Sequence, residues 1–354
     1  MERCDKITPG PPASGNGHYV NKGYACFLCL GAILIFSPGC FPWESATDNG
    51  ESSLRIALEA MPARLDPRYS VDAHGSRIGG LVFASLVRVD RRGGYLPYLA
   101  VSWSNPDPLT WKFKIRTDLR FHDGTALEVE DVAASYRALM DPALASPKRA
   151  VMGSVSSVET AGADEVRFHL SRPDAAFLEA ATVGILPARL AAKPNLESRE
   201  LIGAGPYRLA SVDHGEVVSL LAFEGFPEGR PAIERLDFKI IPDATMRALE
   251  LRHRSIDLVQ NALDPDTVVW LKAKDPGLSV HRGPSNSFQY MGFNLRDPIL
   301  SDLRVRRAIA HAIDRESIVE HLLEGQAGVA SGLLPPHHWA FSPRVPAYAY
   351  DPAR

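Results

Sequence analysis

The body of this chain has no cysteine. All four cysteines, Cys4, Cys26, Cys29 and Cys40, fall in the first forty of 354 residues, so nothing later can form a disulfide or a thiolate metal site. Cys26 and Cys29 have redox-motif spacing, but they sit inside an apolar run, and the spacing is read as coincidence. An excess of charge of one sign is also missing. The 39 Lys and Arg against 42 Asp and Glu give a formal net charge of -3, which supplies no basic field for phosphates and excludes nucleic acid as partner. The apolar run itself, Ala25 to Phe36, is about a dozen residues long, short of the roughly 20 that a membrane-spanning helix needs. No G-x-S-x-G, H-E-x-x-H, phosphate-binding loop or G-x-G-x-x-G occurs. The usual handles of hydrolases, metalloproteases, NTPases and dehydrogenases are therefore absent, no catalytic residue or cofactor is assigned, and an enzyme is disfavoured.

What is present is a foldable composition, 45% hydrophobic and 23% charged, in a chain long enough for two lobes. Residues 1–40 read as an export signal. Lys22 precedes the short apolar run, and Ser37-Pro38-Gly39-Cys40 ends it. That ending resembles the lipobox of bacterial lipoproteins, although Ser37 and Pro38 hold places where Leu and a small residue are usual. The resemblance implies lipidation of Cys40, a membrane anchor and a location in the periplasm or cell envelope. Residues 41–52, rich in Ser, Asp, Asn and Gly, read as a flexible tether.

From residue 53 the period of the apolar residues alternates between two and three to four. Leu54, Ile56 and Leu58 predict a strand with one buried face, and Trp111-Lys112-Phe113-Lys114-Ile115-Arg116 predicts another, apolar on one side and cationic on the other. Val166–Leu170 and Leu236–Ile240 predict two more. A helical stripe runs through Val129, Val132, Ala133, Tyr136 and Met140 and stops at Asp141-Pro142. Val305, Ala308, Ile309, Ala312 and Ile313 predict an amphipathic helix whose arginines form a solvated outer face. Asp314 is placed to cap a second helix carrying Ile318, Val319, Leu322 and Leu323, with Gly325 to end it. Strands and helices interleave irregularly, which predicts a mixed α/β fold.

Three motifs in this order carry a resemblance. They are Trp111–Arg116 followed by Phe121-His122-Asp123-Gly124-Thr125 and Glu130-Asp131-Val132; Gly203-Ala204-Gly205-Pro206-Tyr207; and Tyr290-Met291-Gly292-Phe293-Asn294 followed by Asp302–Ile309 and Ala312–Arg315. Together they resemble the extracellular solute-binding proteins of the oligopeptide, dipeptide and nickel class that serve ABC importers. The resemblance implies an α/β, mixed-sheet, two-lobed periplasmic-binding-protein-like fold. Its ligand, a peptide or similar solute, is held between lobes and passed to a membrane permease, and the chain is expected to be monomeric. Lobe I is expected over residues 53–283 and the start of lobe II over 284–354. Family members continue further, so the chain reads as truncated, with the second lobe incomplete, and a non-functional fragment is the alternative reading. A secreted hydrolase is a weaker one, since no Ser, His and acid constellation can be assembled. At Arg254-Ser255-Ile256-Asp257 the family usually has Gly in place of Arg254, which points to a turn.

The resemblance places the segment from Met61 to Tyr69 on the cleft wall, so Met61, Arg64 and Tyr69 are candidate ligand contacts, with Arg64 able to pair with a ligand carboxylate. Tyr290 and Asn294 are further candidates near the crossover into lobe II. His122 beside Asp123 is read as a turn-stabilising residue. The adjacent His337 and His338 are not assigned to metal, because neighbouring residues cannot readily face one ion and further ligands are not evident.

Overall fold

The computed structural model describes residues 52–353, apart from 91–92, 214, 284–286, 339 and 346. The export signal, Cys40 and all but the end of the tether lie outside the described residues. Eleven strands among them make three sheets.

The first strand, β1 (Ser53–Leu58), is followed by helix α1 (Ala73–Val82) and the short hairpin β2 (Val87–Val89) and β3 (Tyr95–Pro97). Strands β4 (Ala100–Asp107), β5 (Thr110–Ile115), β6 (Val155–Ala161) and β7 (Glu165–Leu170) form an antiparallel sheet in the order β4-β5-β7-β6. Helix α2 (Val129–Met140) lies in the connection between β5 and β6. After two one-turn helices, α3 (Phe177–Ala180) and α4 (Ala188–Ala191), come β8 (Tyr207–Asp213), β9 (Val217–Ala222) and β10 (Arg235–Ile240). Helix α5 (Ala244–Arg252) leads to β11 (Leu258–Val259), and α6 (Pro265–Lys274) and α7 (Leu303–Ala312) follow.

Strands β11, β1 and β10 are parallel, while β9 and β8 continue the same sheet antiparallel, so the sheet is mixed as expected. One detail of β1 differs from the sequence reading. Ala57 is buried as well as Ile56 and Leu58, because a strand flanked on both sides in a parallel array is covered on both faces. In β5 the reading holds without change: Phe113 and Ile115 point into the core while Lys114 faces out.

Two large hydrophobic cores and a small cluster of Ala138, Leu144 and Ala191 occupy residues 53–283. The first is aromatic, with Tyr136 of α2 edge-on to Phe168 at 4.8 Å and Phe113 to Phe168 at 5.5 Å. Burial pushes the Tyr136 phenol far up, and its hydroxyl donates to the Ala180 carbonyl at 3.2 Å. The second gathers Ile56, Leu58, Ile78, Val82, Val218, Leu220 and Phe238 between α1 and the mixed sheet. Helix α2 begins on a reciprocal capping box between Glu128 and Asp131 and ends at Asp141, as its stripe predicts.

No described residue from Ser287 to Ala353 is buried. In this stretch α7 starts on the Asp302 cap, and Arg304 pairs back with Asp302 at 2.7 Å. The expected second helix is reduced to one turn at Arg315–Ser317 and a π-type turn at Ile318–Leu322. The β-branched pair Ile318-Val319 disfavours a regular helix there, and Gly325, at φ 63°, closes the turn. A hydrogen bond from Gln326 Nε2 to the Pro265 carbonyl at 2.7 Å joins this stretch to the first turn of α6.

Arg254 has φ 59°, the left-handed region that the family's usual glycine would adopt freely. A non-glycine residue loses about 1–2 kcal/mol there, whereas the exposed Arg254–Asp275 pair at 3.0 Å returns at most about 1 kcal/mol. The Arg254 carbonyl, which accepts from Arg55 Nη2 at 2.7 Å, is kept by any residue. Arg254→Gly is therefore expected to stabilise the protein by up to about 1 kcal/mol in a urea titration; a clear loss of stability would refute the turn argument.

Candidate ligand-binding site

Three parallel strands end side by side at Leu58, Ile240 and Val259, and in open sheets of this kind ligands sit beyond the carboxyl ends of the strands. The chain leaving each strand is exposed at that edge: Glu59 and Ala60 after β1, Pro242 and Asp243 after β10, and Gln260 and Asn261 after β11. Asn261 has φ 58°, a conformation that asparagine tolerates better than most residues. The last two exits are fastened together by Arg247, whose buried guanidinium donates to the Ile241 and Pro242 carbonyls at 2.6 and 2.8 Å and to the Ala262 carbonyl at 2.6 Å.

The exit from β1 is fixed with equal care. Asp72, the cap of α1, accepts from Gly75 N at 2.7 Å and from Ala63 N at 3.2 Å. Arg68, only 1% exposed, lies against Asp66 with Nη2 2.6 Å from Oδ2, and donates to the Ala191 and Lys193 carbonyls at 2.7 and 2.9 Å. The segment from residue 61 to 70 is thus a rigid wall.

The five candidate contacts divide within this frame. Arg64 is exposed and has no side-chain partner among the described residues, which leaves it available to a ligand. Met61 is half-buried against the second core. Tyr69 donates its hydroxyl to the Leu144 carbonyl at 2.7 Å and packs beside Arg68, so it fixes the wall. Tyr290 is 78% exposed and its ring lies tilted against Phe288 at 5.5 Å, and Asn294 accepts from Arg296 N at 3.1 Å in a local turn. No described hydrogen bond or ring contact brings Tyr290 or Asn294 to the 61–70 wall. Two residues, one after a strand and one in the first turn of α1, had no sequence signal. Glu59 follows the last residue of β1, and its carboxylate Oε1 lies 3.4 Å from His74 Nε2.

His122 sits at the opposite edge of the sheet. Its backbone donates to the Gly203 carbonyl at 2.9 Å, its ring Nε2 meets the Gly205 carbonyl at 3.0 Å, and its face abuts Phe223 at 5.0 Å. The turn-stabilising reading is therefore too small: the residue clamps the 121–125 turn to the 203–207 loop. Burial holds the imidazole below its ordinary range, aided by Arg208 and opposed by the Gly205 carbonyl and Asp123. The unfolded chain takes up the proton more readily, so this contribution to stability is complete above about pH 6.5 and is lost as the pH falls below it. The thermal midpoint should fall between pH 7 and pH 5 more steeply in the wild type than in His122→Gln; equal slopes would refute the assignment.

Residues 94–354 match the family described as bacterial extracellular solute-binding proteins, family 5. The chain belongs to this family. Its relatives include a probable di/tripeptide-binding protein of Pseudomonas aeruginosa, 30% identical over 90% of this chain and 66% of that protein. Among solved structures, NikZ of Campylobacter jejuni, in complex with Ni(L-His), is 34% identical with a TM-score of 0.76, covering 85% of this chain and 61% of that one. The oligopeptide-binding protein AppA of Bacillus subtilis, bound to a nonapeptide, gives 25% and 0.76 over 85% of this chain and 62% of that one. The chain thus spans about two thirds or less of the length of these family members. Their likeness confirms the mixed α/β binding-protein fold that the three motifs implied.

Proposed function

We propose that this chain captures a peptide or similar small solute at the carboxyl edge of its mixed sheet and delivers it to the permease of an ABC importer. The observation that carries this reading is the wall from Glu59 to Ser70 beyond three parallel strand ends, held by buried Arg68 and Asp66 and exposed at Glu59, Ala60, Ala63 and Arg64, in a chain of the solute-binding family. The work is binding and release, with no bond made or broken, and affinity rises as two lobes close on the ligand. Residues 53–283 act as lobe I and the residues from 284 onward begin lobe II. The protein acts as a monomer outside the cytoplasm, anchored through a lipid on Cys40.

The test of binding is thermal unfolding of the full chain with di- and tripeptides and, separately, with nickel plus histidine. A solute at 100 times its Kd should add about 2.7 kcal/mol of stability. An unchanged midpoint with every solute would refute capture. The anchor has its own test. Cells fed a labelled fatty acid should label the wild-type chain, and Cys40→Ala should abolish the label; equal labelling would refute lipidation at Cys40.

A further inference from the structure

Across the mixed sheet from β1, a second cleft of about 370 Å³ opens over β8 and β9, inside the roughly 300–1,000 Å³ range of small-molecule sites. Strands β10 and β9 stand between β1 and β8, which sets this cleft roughly 14 Å across the sheet from the solute edge. Its apolar lining comes from Leu221 and Ala222 at the end of β9 and from Phe223 just after it. Both walls are fixed by the fold itself. His122 forms one, clamped through the Gly203 and Gly205 carbonyls with its ring against Phe223. The loop 224–234 forms the other. Phe226 roots this loop in the aromatic core, and Glu228 ties it to Arg88 of β2 at 3.3 Å and to Arg116, just after β5, at 3.8 Å.

Of the four Arg and Glu side chains that line the cleft, three pair with one another: Arg230 donates to Glu234 at 2.9 Å and lies 3.9 Å from Glu224. Arg208 is the exception. It stands directly across from Leu221 in the β8–β9 ladder, so the two side chains share one face of the sheet. Its exposed guanidinium has no hydrogen bond or ion pair among the described residues. The planar fork of a guanidinium matches a carboxylate in two parallel hydrogen bonds, and the lining beside it suits hydrocarbon. A bare inorganic anion would leave that lining unused. We propose that this cleft is a second binding site, separate from the solute edge, for a small organic acid: Arg208 receives the carboxylate, and Leu221 and Phe223 pack against its apolar body.

The probe is phenylacetate, titrated against the full chain and set beside the neutral phenylacetamide and inorganic phosphate, with NMR line widths of each small molecule reporting its bound fraction. The wild type is expected to bind phenylacetate roughly tenfold more tightly than either comparison. Arg208→Gln, a change at an exposed position, should keep the unfolding midpoint and bring phenylacetate down to the level of phenylacetamide. Arg208→Lys keeps the charge without the fork and should fall between the two. A wild type that binds phenylacetate no better than phenylacetamide overturns the role of the carboxylate. Phosphate binding as tight as phenylacetate overturns the role of the apolar lining, and an Arg208→Gln variant that keeps the preference shows that the acid sits elsewhere. Each of these results removes the second site and leaves solute capture standing.

Discussion

Gly203→Ala is expected to cost about 3 kcal/mol or more of folding stability, because an added Cβ meets a closer atom here than at any other described glycine. A Cβ at this position would lie 1.9 Å from the Val82 carbonyl oxygen, 2.7 Å from the carbon of that group and 3.0 Å from the Phe83 ring. Overpacking usually costs about 1–3 kcal/mol because side chains can shift aside, but here the obstacle is backbone. The Val82 carbonyl closes α1 and cannot swing away freely, since it accepts from Gly205 N at 2.9 Å. The Gly203 carbonyl is tied in turn to His122 N at 2.9 Å, so any retreat strains the 121–125 turn. A fitting comparison is Gly80→Ala in α1, where a Cβ meets nothing within 4 Å; that change should stabilise by about 0.5–1 kcal/mol through helix propensity. Urea unfolding of the two variants measures both. A Gly203→Ala protein within about 0.5 kcal/mol of the wild type would sink the close-approach explanation of this motif.

Much of the architecture was legible in the sequence because local pattern and tertiary environment agreed. Trp111 to Ile115 alternates cleanly since one face of β5 meets the aromatic core and the other meets water. The stripe of α2 is visible for the same reason, and its Asp141-Pro142 stop is a local steric matter. The departure at Arg254 was legible too, because a glycine replaced at a turn leaves its positive φ behind. The parallel pairing of β1 was not visible, for its partners Arg235–Ile240 and Leu258–Val259 lie about 180 and 200 residues away in the chain. The site was legible only as a segment. Resemblance pointed to residues 61–69, but no pattern could tell that the Tyr69 hydroxyl is spent on Leu144 while Arg64 is left open. Glu59 and His74 stayed hidden because a carboxylate after a strand and a histidine in a helix have no signature until folding sets them 3.4 Å apart.

Arg68→Ala is the second large effect, expected at about 3–5 kcal/mol, because removing one partner of a buried ion pair leaves the other uncompensated. Asp66 is 5% exposed, and its carboxylate receives Arg68 through Nε at 3.0 Å and Nη2 at 2.6 Å. Losing the guanidinium strands this charge and frees the Ala191 and Lys193 carbonyls that Nη1 serves. The pair itself need not add net stability over an apolar substitute of similar volume, so a variant in which both charges are removed, Asp66→Asn with Arg68→Met, should be more stable than Arg68→Met alone. That ordering separates stranded charge from lost packing: if the double variant is less stable than the single one, packing and carbonyl bonding dominate. The same measurement bears on function. Arg68 fixes the wall that carries Arg64 and precedes His74, so under the solute-capture reading Arg68→Met should weaken solute affinity even at temperatures where the variant remains folded. An Arg68→Met protein that unfolds several degrees lower yet binds as tightly as the wild type would show that the Asp72 cap alone sets the wall.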